Sequence, residues 1–192
     1  KILKNNKKLK AFLPIYCCPT IIKTFKKNNI KISFYSMGKD LNSPKKLPNN
    51  TNDSIFFFIH YFGKKNKKII NYLNFQKNNS KNFYIIEDLA QSCLAHLYKN
   101  YVGDFVITSL RKFLPVFDGG ILYTNYRYKK TIKKRNDNFL SKIILSKTLR
   151  NNSKFENLYL NLYSQSEKIL DKENEIRAIS SISKNIFANL DI

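Results

Sequence analysis

Along the first two thirds of the chain, short apolar runs alternate with stretches in which apolar residues recur every three or four positions. Ala11 to Pro14 reads as a short strand. Thr20 to Asn28 sets Ile21, Ile22 and Phe25 on one side and lysines on the other, which predicts a helix, and Ile30 to Tyr35 alternates as a strand does. A loop rich in Asn, Ser, Pro and Lys follows from Gly38 to Asp53. The next run, SIFFFIHYFG from Ser54, is apolar on both faces and therefore predicts a buried parallel strand. Lys65 to Gln76 carries Ile69, Ile70, Tyr72 and Leu73 at helical spacing, and Phe83 to Ile86 is a β-rich run ending in Glu87 and Asp88. Two more runs, Phe105 to Thr108 and Ile121 to Thr124, flank a loop with Pro115 and Gly119-Gly120. This alternation predicts an α/β layered sheet with polar residues at the strand ends, where ligands of such sheets sit.

From Arg127 the pattern changes. Lys129 to Leu149 and Phe155 to Leu170 predict long helices, strongly basic or mixed in charge, and Ile176 to Ile192 a further helix or connector. The expected division is a strand-bearing part, residues 1–126, and a helical part, residues 127–192. No internal repeat is visible.

Composition narrows the function classes. With 192 residues and 43% apolar content the chain can bury a core. Its apolar runs fall short of the roughly 20 residues of a membrane span, so no transmembrane helix and no membrane partner is expected. The basic N-terminus lacks the long apolar stretch and cleavage site of a secretory signal. Cys17, Cys18 and Cys93 are an odd number with two adjacent, which suits neither a disulfide framework nor a zinc site and fits a cytoplasmic protein. His60 and His96 stand far apart without clustered carboxylates, so no metal centre is expected.

The net charge of +22 raises nucleic-acid binding, since lysines that neutralise phosphates drive such association. The charge is nearly all Lys, however, and is spread from Lys1 to Lys184 among abundant Asn and Ile, while Arg is sparse. Such a spread marks a biased composition as much as a binding face. A basic nucleic-acid-binding module ranks last among the readings.

Four polar positions stand at or just beyond strand ends: Asp88 and Gln91 in IIEDLAQS, Ser109 in VITSLRK, and Lys112. Each alone has a bland account. A carboxylate closing a strand often caps the next turn, a lysine is usually solvated, His60 within an apolar run suits a hydrogen-bonded core residue, and Cys17 and Cys18 suit small buried apolar positions.

Order and spacing distinguish them. EDLAQS, then GDFVITS, then Lys112, then Asp118-Gly119-Gly120 resembles the DegT or StrS type of sugar-nucleotide aminotransferase, fold type I enzymes that depend on pyridoxal 5'-phosphate. Their usual pattern is ED-x-A-Q, then GD, then SF-x-x-x-K, then GDGG. IHYFG, ending at Gly63, is similar to that family's VH-x-x-G strand, and LPIYCCPT to its VP-x-x-T strand and helix start. The resemblance covers about residues 11 to 125 and, more loosely, 176 to 192.

The resemblance implies a three-layer α/β/α large domain, truncated at both ends, because the family's phosphate-binding glycine-rich turn would precede it and a small C-terminal domain would follow. It makes Lys112 the catalytic residue, whose amine joins the cofactor aldehyde and shuttles the proton. Asp88 would face the pyridine nitrogen, Gln91 the ring's phenolic oxygen or face, and Ser109 the phosphate. Cys18 would take the position of the aromatic residue that stacks on the ring. The partners implied are an amino-acid donor, glutamate by resemblance, a keto sugar nucleotide acceptor, and a second copy of the chain in a homodimer. Two departures stand out: two residues rather than four separate Ser109 from Lys112, and Cys18 replaces an aromatic. The shortened lysine spacing and the missing terminal parts of the family pattern favour an alternative, a catalytically inactive relative or decayed fragment that keeps the fold.

Overall fold

A computed structural model describes residues 9–92, 101–127, 132, 137–173 and 176–190. Cys93 and His96, residues 129–131 and 133–136 of the expected long helix, and residues 191–192 lie outside them. The chain divides into two compact units, Lys1–Lys112 with Ile121–Arg127 and Phe113–Gly120 with Tyr128–Ile192.

In the first unit the apolar runs become strands β1 (Lys10–Pro14), β2 (Lys31–Tyr35), β3 (Ser54–Ile59), β4 (Phe83–Asp88), β5 (Phe105–Ser109) and β6 (Gly120–Thr124). They form one sheet in the order β2-β1-β3-β4-β5-β6. Neighbours from β2 through β5 pair in parallel. β3 lies inside the sheet and every one of its residues is buried, as a strand covered on both faces must be.

Two crossover helices cover those faces, α1 (Pro19–Lys27) between β1 and β2 and α2 (Lys67–Asn79) between β3 and β4. Phe57 meets Phe25 of α1 edge-on at 6.3 Å. Its neighbour Phe56 meets Tyr72 of α2 at 5.7 Å and stacks on Tyr35 at 4.9 Å. Successive strand residues point to opposite faces, so α1 and α2 lie on opposite sides of the sheet and the unit is a three-layer α/β/α structure. Helix starts follow local chemistry. α1 opens on Pro19, whose fixed backbone suits the first turn. α2 starts at Lys67 rather than Lys65 because the Asn66 side chain caps it, accepting from the Ile69 N–H at 3.1 Å.

The chain goes from β1 to β2 on one side and then crosses to β3 on the other. Strand direction of travel therefore reverses between β1 and β3, which opens a crevice at the carboxyl ends of the strands, the usual ligand position in such sheets.

In the second unit α3 (Asp137–Leu149) packs against α4 (Glu156–Lys172). Phe139 and Ile143, one turn apart on one face of α3, are both fully buried, and Lys142 reaches across to Gln165 at 2.7 Å. The expected helix over Ile176 to Ile192 is restricted to α5 (Ser181–Ala188) because Ser180 caps it, its hydroxyl accepting from the Ser183 N–H at 3.2 Å. Asp118 joins that cap. Its carboxylate accepts from the Ser180 hydroxyl at 2.7 Å and the Ser180 N–H at 3.0 Å. Among the described residues no helix is long and apolar enough to cross a membrane.

Candidate functional site at the strand ends

Because β1, β3, β4 and β5 run parallel, their exits share one edge of the sheet. β1 leaves through Tyr16 and Cys17 to Cys18, the residue that precedes α1. β3 leaves through His60 into a tight turn, Tyr61–Gly63, in which Phe62 adopts a left-handed backbone (φ 53°). β4 ends on Asp88, and β5 ends on Ser109 followed by a single 3-10 turn, Leu110–Lys112. These exits enclose a cavity of about 290 Å³ whose wall includes Cys18, Asp88, Gln91 and Lys112. Four of the five residues singled out in the sequence thus converge. Ser109, half-buried at the end of β5, is outside the lining.

Asp88 is only 6% exposed. Its Oδ1 accepts from the Ala90 N–H at 2.7 Å, the local turn bond that a carboxylate closing a strand can make. The capping role and the cavity position hold together. Burial raises the pKa of this carboxyl, while the Ala90 bond and the electrostatic influence of Lys112 and His60 pull it back.

Gln91 has a structural task as well. Its Oε1 accepts from the Phe62 N–H at 3.3 Å and ties the exit of β4 to the turn after β3. A left-handed non-glycine residue costs about 1–2 kcal/mol, so a bond that holds Phe62 there also holds that wall of the cavity. Lys112 is exposed and reaches the cavity wall despite its short spacing from Ser109, because the 3-10 turn starts directly at the strand end.

The sequence reading passed over two aromatic residues of the wall, Tyr16 and Tyr61. The Tyr61 hydroxyl donates to the Tyr16 carbonyl, and the two rings lie 5.9 Å apart. Burial drives the Tyr61 pKa up, with Cys17 and Asp88 adding to the rise. The available signal was position, an aromatic directly after a fully buried strand and before Gly63. Burial, then Cys18 and Asp88, also raise the Cys17 thiol, and Cys18 sits exposed with its sulfur 2.9 Å from Thr20 Oγ1.

The site therefore holds a desolvated carboxylate, an amine whose charge it feels, an amide, and an aromatic and aliphatic wall. Its volume is at the small end of cofactor and ligand pockets, which start near about 300 Å³. Among the described residues no cluster of three or more His, Cys, Asp or Glu side chains could hold a metal.

No protein-family model matches the chain, and no curated protein matches it. Among solved structures, serine palmitoyltransferase of Sphingomonas wittichii is similar at a TM-score of 0.40 and 12% identity. The match covers 63% of this chain and 33% of that one, so the chain spans about a third of the neighbour's length. A likeness this loose carries no weight for function.

Proposed function

We propose that the cavity is the cofactor site of a pyridoxal-phosphate enzyme of the sugar aminotransferase type, which moves an amino group from an amino acid to a keto sugar nucleotide. The observation that carries this reading is the pairing of Asp88 and Lys112 in one cavity, on strand ends separated in sequence. Burial disfavours the charge on Asp88, so a cationic group entering the cavity gains from that carboxylate more than it would in water. A protonated pyridine nitrogen is such a group. The donor set fits the cofactor: a carboxylate for the nitrogen, a lysine amine for the aldehyde, Gln91 for a ring oxygen, and Tyr16, Ile59 and Tyr61 as apolar wall.

When bound, pyridoxal phosphate supplies an electron-accepting ring. Asp88 would keep a proton on the ring nitrogen, and Lys112 would take a proton from the substrate carbon and return it. Gln91 would orient the ring while bracing the Phe62 turn. Ser109 is kept as the phosphate ligand only by its motif position. The amino donor, glutamate, the keto sugar nucleotide and the homodimer come from the resemblance in EDLAQS, GDFVITS and the glycine turn.

The test is to saturate the purified chain with pyridoxal phosphate, reduce with borohydride, and locate the modified lysine by peptide mass spectrometry. Modification confined to Lys112, and weakened by Asp88→Asn, supports the reading. Modification spread evenly over surface lysines, or none, refutes it. If Lys112 is modified, glutamate should then be converted to 2-oxoglutarate in one turnover; its persistence would favour the inactive relative.

A further inference from the structure

Behind Asp88 lies a buried pair that the cavity lining does not include. His60 is fully buried and Glu87 is 2% exposed, with Nε2 of the imidazole 2.8 Å from Oε1 of the carboxylate. The Asn66 N–H donates to His60 Nδ1 at 3.2 Å, which leaves Nε2 to carry the proton presented to Glu87. The other oxygen of Glu87 accepts from the Val102 N–H at 3.0 Å and the Gly103 N–H at 2.9 Å.

Register shows where this assembly stands. Glu87 pairs with Phe58 and Asp88 with Ile59, so the two carboxylates leave β4 on opposite faces. Glu87 points to the α2 side, where His60 also meets the Phe58 ring at 5.0 Å, and Asp88 points the other way. The His60 N–H donates to the Asp88 carbonyl at 3.1 Å, and the Leu89 N–H to the Ile107 carbonyl at 2.8 Å. The peptide that carries Asp88 is thereby held from both neighbouring strands. Gly103 completes the fit: a Cβ there would lie 2.7 Å from the Glu87 Cβ.

We propose that His60 and Glu87 are positioning residues for Asp88, fixing the exit of β4 so that its carboxylate faces the cavity at one depth and angle. The proposal rests on the pyridoxal-phosphate reading of that cavity. Neither side chain touches the cofactor. They act by linking the cap of α2, the ends of β3 and β4, and the lead into β5 around the one peptide whose side chain must meet the ring. A buried pair with a purely structural role would lower stability when broken and leave the cofactor affinity of the folded fraction unchanged.

The experiment compares pyridoxal phosphate dissociation constants and melting temperatures for the wild-type chain, Glu87→Gln, Gly103→Ala and Ile55→Ala. Gln at position 87 sets an amide N–H against donors, Ala at 103 displaces Glu87 while keeping both partners, and Ile55 lies at the opposite end of β3. The expected result is a dissociation constant raised by about tenfold to a hundredfold in the first two variants. Ile55→Ala, with a comparable fall in melting temperature, should stay near wild type. Should Glu87→Gln not fold, Gly103→Ala decides. Wild-type affinity in the folded Glu87 or Gly103 variant overturns the positioning role and leaves the cofactor reading standing. No saturable binding to the wild-type chain overturns both.

Discussion

Asp118→Ala should unfold the second unit's smallest helix and leave the strand-end cavity untouched. Asp118 is 2% exposed and sits at the start of α5, where it accepts from both the hydroxyl and the N–H of Ser180. Hydrogen bonds to a charged group contribute about 1.5–3 kcal/mol each, and a carboxylate at a helix start adds about 0.3–1 kcal/mol. The bonds share one residue and are not additive, so the expected loss is about 3–5 kcal/mol. Asn keeps one acceptor oxygen but turns an N–H toward Ser180, and should cost about half as much. Urea unfolding followed by far-UV circular dichroism, fitted to the transition that loses the α3 and α4 signal, gives the value. Hydrogen exchange at the Lys184 amide, bonded to the Ser180 carbonyl, reports α5 itself. A loss below about 1 kcal/mol, or unchanged exchange at Lys184, would refute the capping account.

The remaining predictions concern the first unit. Because burial raises the Asp88 pKa, the folded state holds this proton above the pH at which the unfolded chain releases it. The carboxyl's contribution to stability therefore falls as pH rises from its ordinary value near about 4 through the folded value. Asp88→Asn keeps the Ala90 acceptor, so it should be more stable than wild type at pH 7, with the gap closing on acidification. Melting curves across pH test this, and an Asn variant less stable at pH 7 would contradict it. Iodoacetamide should modify exposed Cys18 before Cys17, whose thiol is raised by burial, and pyridoxal phosphate should protect Cys18; equal rates at both would count against the cavity geometry. Phe56→Ala removes a fully buried ring stacked at 4.9 Å on Tyr35 and should cost about 3–5 kcal/mol by denaturant titration.

The strand pattern was legible because its physics is local. An apolar run with no polar face, such as Ser54 to Ile59, can satisfy its surroundings only inside a covered sheet, and it does. Helix starts were less legible, since Asn66 and Ser180 compete as caps with residues that look equally helical in a window of apolar spacing. The tasks of individual polar residues were least legible. Gln91 braces a left-handed Phe62, and Glu87 serves a histidine 27 positions away; neither bond leaves a periodic trace.

The glycine turn shows why motif matching and geometry must be weighed separately. Asp88 and Gln91 match the family pattern in spacing and Lys112 only in order, and the parallel strands bring the ends that carry all three to one edge of the sheet. Asp118 matched the same pattern, yet its carboxylate is consumed by the cap of α5, with Ser183 Oγ accepting from the Phe117 and Asp118 N–H groups alongside. A buried carboxylate already holding donors has less to offer a ligand than one whose charge burial disfavours. The chemical case therefore rests on the exits of β3, β4 and β5, and a substitution at Asp88 or Lys112 tests it where one at Asp118 tests folding.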